Sequence, residues 1–216
     1  GDECLCGGGK TVRDGMAISS RTHAEGVLDV LVANALIIDP VLGIVKGDIG
    51  IRDGRIVGVG KAGNPAIMDG VDENLVVGNA TAVESAEGKI VTPGGIDVHT
   101  HFIGADQCHH ALSSGLTTLI GGGMSSPFIA VDQGSPTDIF RMLRACEGFP
   151  LNFGLFARGS SHCALAIIEL MDRGVIGVKI HDDFGAPPAV ITPCLSVSAA
   201  LDVPVPIHPD HLTEPG

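Results

Sequence analysis

From Pro93-Gly-Gly95 onward the chain settles into a rhythm of short apolar segments alternating with helical patterns, and that rhythm restricts the fold more than any other feature. Strands are expected near 95–102, 116–123, 151–157, 174–181 and 203–208, with helices near 106–114, 135–147, 162–173 and 188–201. Ser135 ahead of Pro136 and Asp138 reads as a helix start. Repeated strand–helix units with apolar strands imply a parallel sheet joined by right-handed crossovers. Five such units make either an open doubly wound sheet or the first part of a (β/α)8 barrel. The composition agrees: there is no Trp or Tyr, and 31 residues are Gly. Cores must then come from Val, Ile, Leu and Ala, as in parallel strands covered by helices.

The preceding residues read differently. Residues 1–26 are Gly-rich and without periodicity, and are expected to be loop. Residues 27–92 read as a small all-β domain. In it Leu28-Asp-Val-Leu-Val-Ala-Asn-Ala-Leu-Ile-Ile-Asp39 is strand-like, and Asp53-Gly54 supplies a tight hairpin turn between alternating apolar residues. Residues 93–216 form the strand–helix region. The chain opens on Gly and stops just past a strand, so both ends are expected to be cut.

A net charge of -12 argues against nucleic acid as a partner. No run of 18 apolar residues suggests a membrane span. Six cysteines without a Cys-x-x-Cys spacing read as reduced thiols of a cytoplasmic protein. Asn79-Ala-Thr81 fits a glycosylation pattern but has no visible signal peptide to route it.

The chemistry gathers at strand ends. In Gly94-Gly-Ile-Asp-Val-His-Thr-His-Phe102, His99 and His101 lie two apart and so share a strand face, where two imidazoles can chelate one divalent metal. In Gly174-Val-Ile-Gly-Val-Lys-Ile-His181, Lys179 interrupts an apolar run and pairs in the same way with His181. A buried ammonium is costly unless paired, although a lysine at a strand end can also escape to water. His208 closes Val203-Pro-Val-Pro-Ile-His208. Three histidine-bearing ends on the C-terminal side match where barrel enzymes place their sites, and together they suggest a metal centre. An ammonium has no lone pair, so Lys179 could join only as a neutral or anionic species. Asp182 and Asp183 are candidate acceptors behind the histidines or solvated groups. Gly121-Gly-Gly123 reads as flexible strand-end backbone, and His109-His110 as solvated surface.

Most of the chain resembles the alpha (catalytic) subunit of urease, within the metal-dependent amidohydrolase superfamily. The resemblance lies in Gly7-Gly-Gly-Lys-Thr-Val-Arg-Asp-Gly-Met16, Asn34-Ala-Leu-Ile-Ile-Asp39, Asp48-Ile-Gly-Ile-Arg-Asp-Gly-Arg-Ile-Val-Gly58, Gly60-Lys-Ala-Gly-Asn-Pro65, the His99/His101 segment and Ile176-Gly-Val-Lys-Ile-His-Asp-Asp-Phe-Gly185. The His-x-His alone is shared with hydantoinases, dihydropyrimidinases and dihydroorotases. The resemblance implies a partial (β/α)8 barrel of about five strand units behind a small all-β domain. It implies that His99 and His101 bind one nickel ion, His208 the second, and that Lys179 bridges both as a CO2-derived carbamate. His181 would hydrogen-bond the urea carbonyl oxygen. The implied partners are urea, the beta and gamma urease subunits and nickel-insertion accessory proteins, in an oligomer. Further ligands and a flap histidine would lie beyond residue 216, so this stretch alone is expected to be inactive. Gly104-Ala-Asp-Gln107 stands where the family usually has Cys-Pro-Gln-Gln, and Gly122-Gly-Met-Ser-Ser-Pro127 and His208-Pro-Asp-His-Leu-Thr-Glu214 also diverge. A cyclic-amide hydrolase and a non-catalytic homologue serving in assembly are the alternative readings.

Overall fold

The computed structural model describes residues 18–123, 131–182 and 185–209, and it divides into two compact units at Pro93/Gly94. In the first, a sheet runs in the order β3-β2-β1-β4, with β5 also on β1. Its strands are β1 (Val30–Asp39), β2 (Gly43–Arg52), β3 (Arg55–Gly60), β4 (Ala82–Ser85) and β5 (Ile90–Val91). Two sequence devices set the hairpins. The Asp39 carboxylate accepts the Val41 and Leu42 N–H groups at 2.8 Å each, shaping the β1–β2 turn. Asp53 and Gly54 both have positive φ, 51° and 69°, as a turn matching strand twist requires. Leu28, Leu31, Leu75 and Val77 form one part of the core, and Ala35, Ile37, Ile49 and Ala86 another. Of the N-terminal stretch expected to be loop, Ser19 bridges Gly78 and His23–Glu25 forms a 3-10 turn; residues 1–17, with Cys4 and Cys6, lie outside the described residues. Thr81 of the glycosylation pattern is spent structurally, its hydroxyl donating to the Leu28 carbonyl at 2.7 Å.

The second unit is a parallel sheet in the order β10-β9-β8-β7-β6, each strand next to its sequence neighbour. Its elements are β6 (Gly95–His101), α1 (Asp106–Ser113), β7 (Leu116–Gly122), α2 (Pro136–Cys146), β8 (Asn152–Arg158), α3 (Ala164–Met171), β9 (Gly177–His181), α4 (Pro188–Leu201) and β10 (Ile207–His208). A flat five-stranded sheet would hold its edge strands about 19 Å apart, at ~4.8 Å per step. Here the rings of His99 on β6 and His208 on β10 lie 5.6 Å apart by centroid, so the sheet curls into a half-barrel. This is the partial (β/α)8 architecture expected. Helices cover the outside: Ile139 and Met142 of α2 and Leu170 of α3 pack on Leu155 and Ala157, while Ile167, Cys194 and Val197 enclose Val178 and Ile180. Ser135 caps α2, its Oγ accepting the Asp138 N–H at 3.1 Å.

Two local expectations are corrected. The strand expected over 203–208 enters the ladder only at Ile207–His208, because Pro204 and Pro206 have no N–H. Their carbonyls still accept Val178 and Ile180 N–H at 3.0 Å. Gly121-Gly-Gly123 is not loose backbone: Gly121 and Gly122 belong to β7, and all three are buried. A Cβ on Gly121 would sit 1.9 Å from the Thr100 carbonyl oxygen, and one on Gly123 would sit 2.3 Å from that of Phe102. Glycine here permits close strand approach beside the histidine strand.

Candidate metal centre

The C-terminal ends of β6, β9 and β10 carry His99, His101, Lys179, His181 and His208, and the curl of the sheet gathers all five. Ring centroids stand 5.6 Å apart for His99–His101 and 5.4 Å for His181–His208. Strand β9 is buried along its whole length. Lys179 on it is 1% exposed, among the largest fully buried side chains of the chain. It does not snorkel. Its Nζ lies 3.2 Å from His99 Nδ1, and among the described residues no carboxylate comes within ion-pair distance.

Electrostatics follow from that crowding. Burial pushes Lys179 below the usual lysine range, with Asp132 partly offsetting it. Burial also lowers His181, to about 4, and the positive neighbours Lys179, His208, Arg158 and His99 add to the effect. His99 is lowered by desolvation first, then by Lys179, His101 and His208. A neutral imidazole is the form that donates a lone pair to a metal.

The strand end is clamped from below. Gln107 Oε1 accepts Ile103 N–H at 2.7 Å and Gly104 N–H at 3.1 Å, and its Nε2 donates to the His101 carbonyl at 2.8 Å. Thus the glutamine of the divergent Gly104–Gln107 stretch ties the turn to the strand carrying His99 and His101. His109 and His110 are exposed, as expected. Asp182 is exposed, and Asp183 and His211 lie outside the described residues.

The acceptor beside His181 is instead Asp132, which sequence reasoning missed. It is fully buried; Arg158 Nε and Nη2 donate to its Oδ1 at 3.1 and 2.9 Å, and its Oδ2 faces His181 Nε2 at 3.6 Å. Its only advance signal was an acidic residue beside an apolar one between two periodic segments.

The donor set can be tested against one ion or two. Among the described residues, the one trio of His, Cys, Asp or Glu ligand atoms within 4.8 Å of one another is His23, Asp29 and Asp53 on the first unit's surface. The barrel histidines are more widely spread.

The second unit is thus a curled parallel sheet with imidazoles and a buried lysine on its C-terminal rim, the architecture of a hydrolase barrel, and the comparisons assign the class. Residues 90–214 match the amidohydrolase family model, and the chain belongs to that family. Residues 1–84 match the urease alpha-subunit N-terminal domain. Over 217 aligned positions the chain is 51% identical to urease subunit alpha of Haloquadratum walsbyi, and 48% identical to those of Natronomonas pharaonis and Haloarcula marismortui. Each comparison takes in 100% of this chain and 38% of the relative, so the chain spans well under half of their length.

Proposed function

We propose that the chain is part of the catalytic subunit of a nickel-dependent urease, hydrolysing urea to ammonia and carbamate. His99 and His101 would hold one nickel ion and His208 the other, with Lys179 bridging them as a carbamate. The observation that carries this reading is Lys179, a buried lysine with an imidazole nitrogen at 3.2 Å and, among the described residues, no carboxylate within ion-pair distance. As a structural residue it is only a cost. As a carbamate it becomes an anionic oxygen ligand among imidazoles, a donor set that suits Ni2+.

The chain's own groups favour that conversion. Burial lowers the proton affinity of Lys179 and so enriches the neutral amine. The amine lone pair attacks the carbon of CO2, one C–O π pair moves onto oxygen, and the departing proton has His99 Nδ1 as a nearby acceptor. Once bound, the two ions would supply Lewis acidity, polarising the substrate carbonyl and acidifying water. His181, 5% exposed on the buried β9, would hold the carbonyl oxygen where negative charge develops. Beta and gamma urease subunits, nickel-insertion proteins and a cytoplasmic setting accompany this reading; no helix among the described residues is long and apolar enough to cross a membrane.

The test is the longer protein containing this chain, loaded with nickel and bicarbonate and assayed on urea and on dihydropyrimidines. Urea turnover with two metals per chain is expected. Turnover of cyclic amides alone would assign a hydantoinase-type hydrolase, and no metal uptake would assign a non-catalytic homologue.

A further inference from the structure

Strand β6 loses its regular ladder where it begins to carry histidines. Between Asp97 and Thr100 its pairing with β7 shifts register, since Asp97 faces Leu119 and Thr100 faces Gly121. Within that interval the His99 N–H donates to the Asp97 carboxylate at 2.9 Å. Irregularities of this kind re-aim side chains, so the direction of His101 depends on what fixes the backbone after the shift.

The peptide joining His101 to Phe102 is the decisive one. Its N–H, on Phe102, donates to the Gly122 carbonyl at 2.7 Å. In a trans peptide the carbonyl points opposite to the N–H, so the His101 carbonyl is directed away from β7. There β6 is the edge of the sheet, and among the described residues no strand lies beyond it to donate. Gln107 Nε2 supplies the missing donor at 2.8 Å. The peptide is thereby held at both ends, and with it the backbone torsions that aim the His101 ring. Gln107 can hold it because Gln107 is itself fixed. Its Oε1 accepts the Ile103 and Gly104 N–H groups, and its own backbone N–H donates to the Gly104 carbonyl at 3.2 Å. Only a side chain that both accepts and donates on one planar group meets these demands; an ionised carboxylate accepts but cannot donate.

We infer that Gln107 is a positioning residue that holds His101 at the angle needed to share an ion with His99. This role rests on the proposed reading of those two histidines as ligands of one ion. The glutamine touches neither the ion nor the substrate; it acts through the His101 backbone.

The experiment measures nickel affinity by chelator competition in the longer protein containing this chain, as wild type, Gln107→Met, Gln107→Glu and Ser135→Ala. Wild type is expected to hold two ions. Gln107→Met deletes the amide and should weaken one of them about 10–100-fold while sparing the other, the range usual for groups that orient a ligand. Ser135→Ala removes the cap of α2 and should lower stability without moving either affinity. Gln107→Glu keeps both acceptor bonds and sets an oxygen against the His101 carbonyl. Its added negative charge by itself favours a cation, so one weakened ion in that variant isolates the link to His101. Wild-type affinities in a folded Gln107→Met protein would overturn the role, as would an equal loss in Ser135→Ala. Should Gln107→Met not fold, Gln107→Glu decides in its place, and unchanged or tighter binding there overturns the role. Wild type that takes up no nickel would overturn the metal-centre reading itself, and the role with it.

Discussion

Replacing Lys179 by Met should make the metal-free, CO2-free chain more stable. The methionine is unbranched and of similar length, so it fills the same space within β9 without opening a cavity. What is lost is the 3.2 Å hydrogen bond to His99 and a distant attraction to Asp132, about 1–3 kcal/mol for a bond involving a charged group. What is relieved is the desolvation of an ammonium only 1% exposed, an effective penalty of several kcal/mol. The net gain is about 1–4 kcal/mol. With a urea slope of about 2 kcal/mol per M, the denaturation midpoint should rise by roughly 0.5–2 M at pH 7. The pH dependence follows from the lowered lysine. Between its folded value and 10.5 the unfolded chain binds more protons than the fold, so wild-type stability rises with pH across that window. The methionine variant should lack that slope. A Lys179→Met chain less stable than wild type in CO2-free buffer at pH 7 would refute the reasoning and make Lys179 a structural residue.

Gly121→Ala forces a Cβ to 1.9 Å from the Thr100 carbonyl, where backbone rather than a mobile side chain must yield; we expect a loss of about 3 kcal/mol or more by urea denaturation. Gly104→Ala, with nothing within 4 Å, should stay within about 0.5 kcal/mol of wild type, and equal costs at the two sites would contradict the close-approach account. On the acid side, His181 is held neutral down to about 4, so from pH 6.5 to 4 the unfolded chain gains a proton that the fold refuses. The apo chain should lose on the order of 3 kcal/mol over that interval, and His181→Gln should flatten the decline; parallel wild-type and variant curves would rule this out.

What could be read from the chain itself was whatever local chemistry dictates. Ser135-Pro136 announces a helix because a hydroxyl cap and a preset φ act within one turn, and Asp53-Gly54 announces a hairpin for a similarly local reason. The alternation of His99 with His101, and of Lys179 with His181, follows from the two-residue period of a strand. The features that escaped are tertiary. Asp132 belongs to no periodic segment, and its meaning depends on Gln133 taking over the edge of β8 where β7 leaves it. Gly121-Gly-Gly123 looks like loose backbone in sequence, and only the neighbouring Thr100 and Phe102 carbonyls show why side chains are excluded. Asp182 has the right chemistry at the right spacing, yet it faces water while Asp132, 50 residues earlier, faces His181.

The central claim is that Lys179 serves as a carbamate among metal-binding histidines, and 13C spectroscopy of the longer protein containing this chain, loaded with metal in 13C-bicarbonate, tests it most directly. The account predicts a carbamate carbon resonance that disappears in Lys179→Met and on acidification. A fully metal-loaded wild-type protein with no such resonance would contradict it.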